Sequence, residues 1–277
     1  MIQWYPGHIA KAERQLKEQL KRVDVVLEVR DARIPLATHH PQMSQWVENR
    51  GKVLVLNRVD MITPTIRDQW YQWFQSEGET PYFTNAQQGT GVKAVTKAAQ
   101  AMGVELNQRR QNRGMRPRPV RAVVIGFPNV GKSALINRLL GRRVVESARK
   151  AGVTRALRWV RISEEIELLD APGVIPNNIN TQEDAIKLAI CDDIGEASYD
   201  NQRVAAEFVD LLKQLELTQN PLMLRYELDP APLTGEEYLS QLAQKRYQGN
   251  MEKTARQLLN DFRKGLLGEI CLEKVPF

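Results

Sequence analysis

The sequence predicts an α/β fold, a parallel-rich sheet with helices, followed by a small all-α region. Three observations carry the prediction. Apolar runs at Val53–Leu56 and Ala122–Ile125 are short and continuous, as strands buried on both faces are, and Ile166–Leu169 is broken only by Glu167. Stretches with apolar residues at helical spacing alternate with them. Beyond Pro176 the pattern is helical to the last residue.

In chain order, an aromatic and turn-forming opening, Trp4-Tyr5-Pro6-Gly7-His8, leads into an amphipathic helix over Ile9–Arg22. A strand follows at Val23–Val29, and Arg30–Pro35 leaves it as a loop. A short helix over Gln42–Asn49 is expected to end at Gly51, read as its C-cap. The strand Lys52–Leu56 precedes Asn57-Arg58-Val59-Asp60 and a helix over Pro64–Gln75. Tyr82-Phe83 closes a third strand, with Thr84-Asn85-Ala86 after it. A helix over Thr90–Met102 is expected to stop at Gly103. From Asn107 to Arg118 five arginines occur among Gly114, Pro117 and Pro119 with no acidic residue, which reads as a flexible basic linker. Its charge suits RNA phosphate as well as plain solvation. After Ala122–Ile125 come a helix over Ser133–Leu140, a polar stretch at Arg142–Arg155, and a strand pair, Leu157–Ile162 with Ile166–Leu169. Helices are expected at Glu183–Ile190, Asn201–Leu215, Gly235–Gln248 and Met251–Leu267. The cations Lys253, Arg256, Arg263 and Lys264 on the last fit a solvated face or an RNA surface.

The 277 residues suffice for two domains, divided here into 1–176, with the linker at about 107–118, and 177–277. Hydrophobic content of 42% and charged content of 26% are those of an ordinary globular protein. No apolar run reaches the roughly 20 residues of a membrane span, and the opening lacks a signal peptide's apolar core, so a cytoplasmic protein without a membrane partner is expected. Cys191 and Cys271 make neither a disulfide framework nor a metal site, and His8, His39 and His40 are too isolated for a zinc cluster. The excess of 39 Lys and Arg over 33 Asp and Glu permits a nucleic-acid partner.

The chemistry concentrates at Gly126-Phe-Pro-Asn-Val-Gly-Lys-Ser133, which meets every position of the phosphate-loop pattern G-x-x-x-x-G-K-[ST] between a strand and a helix. Gly126 and Gly131 let backbone N–H groups close around a phosphate at a helix N-terminus. Lys132 is placed for the terminal phosphates and Ser133 for Mg²⁺. Asn-x-x-Asp at the end of a buried strand reads guanine. Asp60 would accept the N1 and N2 protons, a donor pair that adenine lacks, and Asn57 would support the loop. Alone that tetrapeptide equally suits a polar cap of the next helix; beside a phosphate loop it argues against an ATPase. Backbone N–H groups around Asn85 and Ala86 are candidates for guanine O6. Thr154, in a glycine-containing loop, is the candidate switch hydroxyl for Mg²⁺, or an ordinary loop threonine. Asp170, after an apolar strand, is placed to hold Mg²⁺ through water, and Gly173 to offer its N–H to the terminal phosphate.

These motifs stand in rotated order. The guanine motif precedes the phosphate loop, which a circular permutation explains, with the basic stretch joining the old termini. With Trp4–Ala12, Asp31-Ala32-Arg33-Ile34-Pro35, Gly126–Ser133 and Leu259-Asn-Asp-Phe-Arg-Lys-Gly265, the chain resembles, over nearly its full length, the ribosome biogenesis GTPase A family of circularly permuted P-loop GTPases. The resemblance implies GTP and GDP as ligands and late assembly of the large ribosomal subunit as the setting. It also implies an rRNA-contacting helical C-terminal domain and a protein that is monomeric off the ribosome. Val174 stands where many GTPases have a water-orienting glutamine, and the family's candidate for that task is His8. Asn129 and Val130 complete the expected nucleotide contacts, and Asn129 resembles the asparagine that ligates K⁺ in related GTPases, so K⁺ is expected beside Mg²⁺. Arg58 replaces the usual lysine of the guanine motif and is expected to lie along the base, Ala171 replaces a threonine, and Asn85 stands where serine is common.

Overall fold

The structure is a computed structural model that describes residues 16–48, 50–141, 158–163, 166–170, 181–215 and 217–276. Its strands are β1 (Val25–Asp31), β2 (Gly51–Asn57), β3 (Pro81–Thr84), β4 (Val120–Ile125), β5 (Arg158–Arg161) and β6 (Ile166–Asp170). They form one six-stranded sheet in the order β3-β2-β1-β4-β6-β5, parallel except for β5, which runs against β6.

Every residue of β1 is buried, because the sheet is covered on both faces. Alternating side chains divide between the two sides. Val25, Leu27, Val29, Val53, Val55, Ala122 and Val124 pack with residues of α4 (Val92–Asn112) and α5 (Lys132–Leu139). On the other side, Val26, Val123 and Ile125 meet α1 (residues 16–20) and α2 (Met43–Val47). Beside them, Leu54 and Leu56 meet Trp70 and Phe74 of α3 (Pro64–Ser76). The register aligns Asp31 with Asn57 and Asn57 with Thr84, so three polar residues end their strands in one row. At this carboxyl edge an open parallel sheet binds its ligands.

The helical region comprises α6 (Gln182–Ile190), α7 (Asn201–Gln214), α8 (Pro221–Tyr226), α9 (Gly235–Tyr247) and α10 (Met251–Arg263). Side chains of Thr181, Asp200, Asn220, Thr234 and Asn250 cap these five N-termini, Thr234 in a capping box with Glu237. Phe208 and Phe262 stack at 4.9 Å inside it. Its core is continuous with that of the α4/α5 side of the sheet.

Several sequence expectations need correction. The basic stretch is not a free linker: α4 continues through Gly103 to Asn112. Gly103 is there for packing, since a Cβ would stand 2.0 Å from Val120 Cγ2. The residues beyond are tied back. Asn107 exchanges two hydrogen bonds with the Arg118 backbone, and the Arg118 guanidinium forks onto Asp24 at 2.7 and 2.8 Å. Gly51 is no helix cap but the first residue of β2, against Met102. α10 stops at Arg263, where Gly265 (φ 75°) turns the chain. Arg263 does not lie on a freely solvated face. It donates to the carbonyls of Ile190 and Ala189, at the end of α6.

Candidate nucleotide site

β4 delivers its chain into the phosphate loop at the carboxyl edge. A Cβ on Gly126 would lie 2.2 Å from the Val29 carbonyl oxygen, so the loop can leave the sheet this closely only as glycine. Asn129 (φ 58°) and Gly131 (φ 101°) turn through left-handed backbone, and a Cβ on Gly131 would meet Asn57 Nδ2 at 2.1 Å. Val130 is buried beneath the loop. Gly131 gives α5 no side-chain cap, so the first-turn N–H groups have no side-chain acceptor there, the arrangement that binds anions. Lys132 is buried and its Nζ donates to the Phe127 carbonyl at 2.6 Å, which folds its charge over the loop. Ser133 follows in the first turn of α5.

Asn57 joins the two recognition loops. Its Nδ2 donates to the Val130 carbonyl at 2.8 Å, while its Oδ1 accepts from Thr84 Oγ1 and from the Ala86 N–H, both at 3.0 Å. The Ala86 N–H expected at guanine O6 is thus directed at Asn57. Asn85, buried, accepts the N–H groups of Gln87 and Gln88 at its Oδ1 and so shapes the turn. Arg138 of α5 donates to the carbonyls of Ala86 and Gln87, fixing that turn to the phosphate-loop helix. Asp60 is exposed on the 3-10 turn Val59–Met61.

Arg58, expected along the base, is tied to the phosphate loop and to β1. Its Nη2 donates to the Asn129 carbonyl at 2.6 Å and its Nε lies 3.3 Å from Asp31 Oδ2. The Arg33 guanidinium also engages Asp31, at 2.7 and 3.0 Å, and donates to the Cys191 carbonyl at 3.1 Å. Asn129 Nδ2 donates to the next carbonyl, that of Asp192, at 2.6 Å. Asp31, Arg33, the Cys191-Asp192 backbone, Asn129 and Arg58 therefore form a closed ring that links β1, the turn after α6, the phosphate loop and the guanine motif. Arg33 is fully buried and also lies over the Phe262 ring of α10, 5.2 Å from its centroid.

Burial opposes ionisation of Asp31, but the Arg33 and Arg58 guanidiniums outweigh it and hold the carboxyl below its ordinary range. Asp193, fully buried beside it, goes the other way. Burial first and the Asp31 charge second push it well above the usual carboxylate value, and its carboxyl oxygens have no hydrogen-bond partner among the described residues. Sequence reading found Arg58 and Asn129 but missed the roles of Asp31, Arg33 and Asp192. The signals were the charged pair flanking Ala32 at the end of an apolar strand and the place of Asp31–Pro35 among the family's motifs.

His8, Thr154, Gly173 and Val174 lie outside the described residues. Asp170 is the last residue of β6, paired with Val124 of β4. Ser133 stands in the first turn of α5, after the phosphate loop that leaves β4, the neighbour of β6, and its hydroxyl is a hard oxygen donor of the kind Mg²⁺ takes. No described helix is long and apolar enough to cross a membrane.

Comparison with known proteins agrees with this geometry. A family model described as a 50S ribosome-binding GTPase matches residues 121–224, from β4 onward and downstream of the guanine motif. Ribosome biogenesis GTPase A of Bacillus cereus is 34% identical over 279 aligned positions, covering 99% of this chain and 94% of that protein. The protein of the same name from Thermotoga maritima is 30% identical over 73% of this chain and 70% of its own. The crystal structure of GNP-bound YlqF from T. maritima shares the fold, with a TM-score of 0.67 at 23% identity over 95% of this chain and 98% of that one. The rotated motif order, the sheet and the near full-length match lead to one assignment: the chain belongs to the ribosome biogenesis GTPase A family and is a circularly permuted GTPase.

Proposed function

We propose that this protein binds the large ribosomal subunit through its rRNA, acts in late maturation of that subunit, and grips or releases it according to bound nucleotide. The observation that supports this best is the ring joining Arg58 and Asn129 to the carbonyls of Cys191 and Asp192. Through it a movement of the nucleotide loops reaches the helical region directly. The names of the relatives and of the family model supply the ribosome as partner.

In this reading Asp60 reads guanine, and Lys132 and the N–H groups at the start of α5 hold the phosphates. Ser133, Thr154 and Asp170 hold Mg²⁺, which supplies charge neutralisation on the phosphates. Gly173 contacts the terminal phosphate. His8 positions the attacking water that Val174 cannot. Asn129 would hold K⁺, whose charge does the work of an arginine finger. The protein acts in the cytoplasm as a monomer off the ribosome.

The test is GTP turnover in K⁺ buffer with and without purified large subunits, together with subunit affinity in the GTP and GDP states. Stimulated turnover and tighter binding with GTP are expected. Equal affinity in both states would sink the gating. Slow turnover unchanged by subunits that bind would leave a nucleotide-gated RNA-binding module with little catalysis.

A further inference from the structure

After α10 the chain returns to the sheet and docks beneath the guanine motif. The Ile270 N–H donates to the Met61 carbonyl at 2.9 Å, at the end of the 3-10 turn that carries Asp60. Gly265 lies against Met61, where a Cβ would be 3.3 Å from its sulfur. The Leu272 N–H donates to the Arg33 carbonyl at 2.8 Å. The Glu273 carboxylate accepts the N–H groups of Leu36 and Ala37 at 2.7 and 2.9 Å. Trp70 of α3 donates its indole N–H to Cys271 Sγ at 3.4 Å. Cys271 and Val275 complete the apolar cluster formed by Leu56, Val59, Ile62 and Trp70 around that turn. Ile270, Cys271, Leu272 and Glu273 are all buried.

Arg58 fixes one end of the guanine motif through the ring. The other end, at Met61, is held by backbone from this distant segment. Asp60 is exposed between these two anchored ends. We propose that residues 265–275 are a positioning strap for guanine selection, holding the 3-10 turn so that Asp60 meets both the N1 and N2 protons of the base. Bidentate recognition is sensitive to the placement of its acceptor, whereas phosphate binding by the loop at 126–133 is not. Loosening the strap therefore erodes discrimination between bases before it erodes phosphate affinity. The inference rests on the reading of Asp60 as the guanine acceptor.

The experiment compares full-length variants by the ratio of dissociation constants for inosine diphosphate, which lacks the exocyclic amino group, and GDP. Glu273→Leu removes the acceptor for two N–H groups. Gly265→Ala presses on Met61 and sits in left-handed backbone. Thr234→Ala is the control for general destabilisation, because it removes the capping box at the N-terminus of α9 and touches no residue of the strap. Glu273→Leu and Gly265→Ala are expected to lower the ratio about tenfold, while Thr234→Ala lowers the melting temperature and leaves the ratio unchanged. Should Glu273→Leu not fold, Gly265→Ala decides. A wild-type ratio retained in the strap variants overturns the proposal. A wild-type protein indifferent to guanine overturns the assignment of Asp60 instead.

Discussion

Asn57→Asp is the most informative single change at the site, because it keeps the shape of the side chain and reverses one hydrogen bond. The carboxylate can still accept from Thr84 Oγ1 and the Ala86 N–H. It cannot donate to the Val130 carbonyl, which Asn57 Nδ2 reaches at 2.8 Å. The loss comprises one buried hydrogen bond, about 1 kcal/mol, and an unpaired buried carbonyl, about 1–3 kcal/mol. Two oxygens brought face to face add repulsion. The total is about 3 kcal/mol, shared between folding stability and nucleotide affinity, and about 1.4 kcal/mol corresponds to a factor of ten in binding. Urea denaturation of the nucleotide-free protein measures the first share and titration with a fluorescent GDP analogue the second. Affinity is expected to fall at least about tenfold, with the remainder appearing as lost stability. A variant matching wild type in both measurements would refute the idea that Asn57 couples the two loops.

Gly131→Ala places a Cβ 2.1 Å from Asn57 Nδ2 in left-handed backbone, so GDP binding by calorimetry should fall beyond detection while helix content by circular dichroism persists. His8→Ala should leave GTP affinity intact and abolish subunit-stimulated turnover; unchanged turnover would remove His8 from the site. Exchanging K⁺ for Na⁺ at equal ionic strength should slow hydrolysis, and an unaltered rate would exclude K⁺ at Asn129. Glu273 gives a pH dependence with a definite sign. Burial first, and Asp184 to a lesser degree, push its carboxyl from 4.5 up to about 7, against the Leu36 and Ala37 N–H groups and Lys187. Below 4.5 the folded and unfolded states are both protonated; between 4.5 and about 7 only the folded state keeps the proton. This contribution is therefore full at low pH and lost as pH rises through 7, by about 3 kcal/mol. Asp193 acts with the same sign. Urea denaturation from pH 5 to 8 should show stability falling, and less steeply in Glu273→Gln; parallel profiles would contradict the assignment.

The parts of the fold written in local pattern were legible in the sequence. β2 and β4 coincide with continuous apolar runs, and the phosphate loop and guanine motif follow them where their flanks place them. Glycine was misread where it served packing. Gly103 and Gly51 look like stops, but they admit Val120 and Met102. The arginines at 109–118 resembled a solvated tether because their local bonds, Arg109 to Glu105 and Arg110 to the Arg116 carbonyl, lie within the exposed stretch itself. The partner of Arg118 is Asp24, brought close only by the fold. The same holds for the ring, whose Arg33–Cys191 bond joins residues far apart in sequence. α8, of 6 residues, is too short to display a helical period.

The docking of Ile270 on Met61 sets an order of events during synthesis. The sheet strands that carry the guanine motif and phosphate loop are all translated before α10, and can pair while the chain is still growing. The turn bearing Asp60 receives its last support only when residues 265–275 have left the exit tunnel. A nascent chain thus holds its phosphate loop before the segment that braces the turn bearing Asp60 has been made.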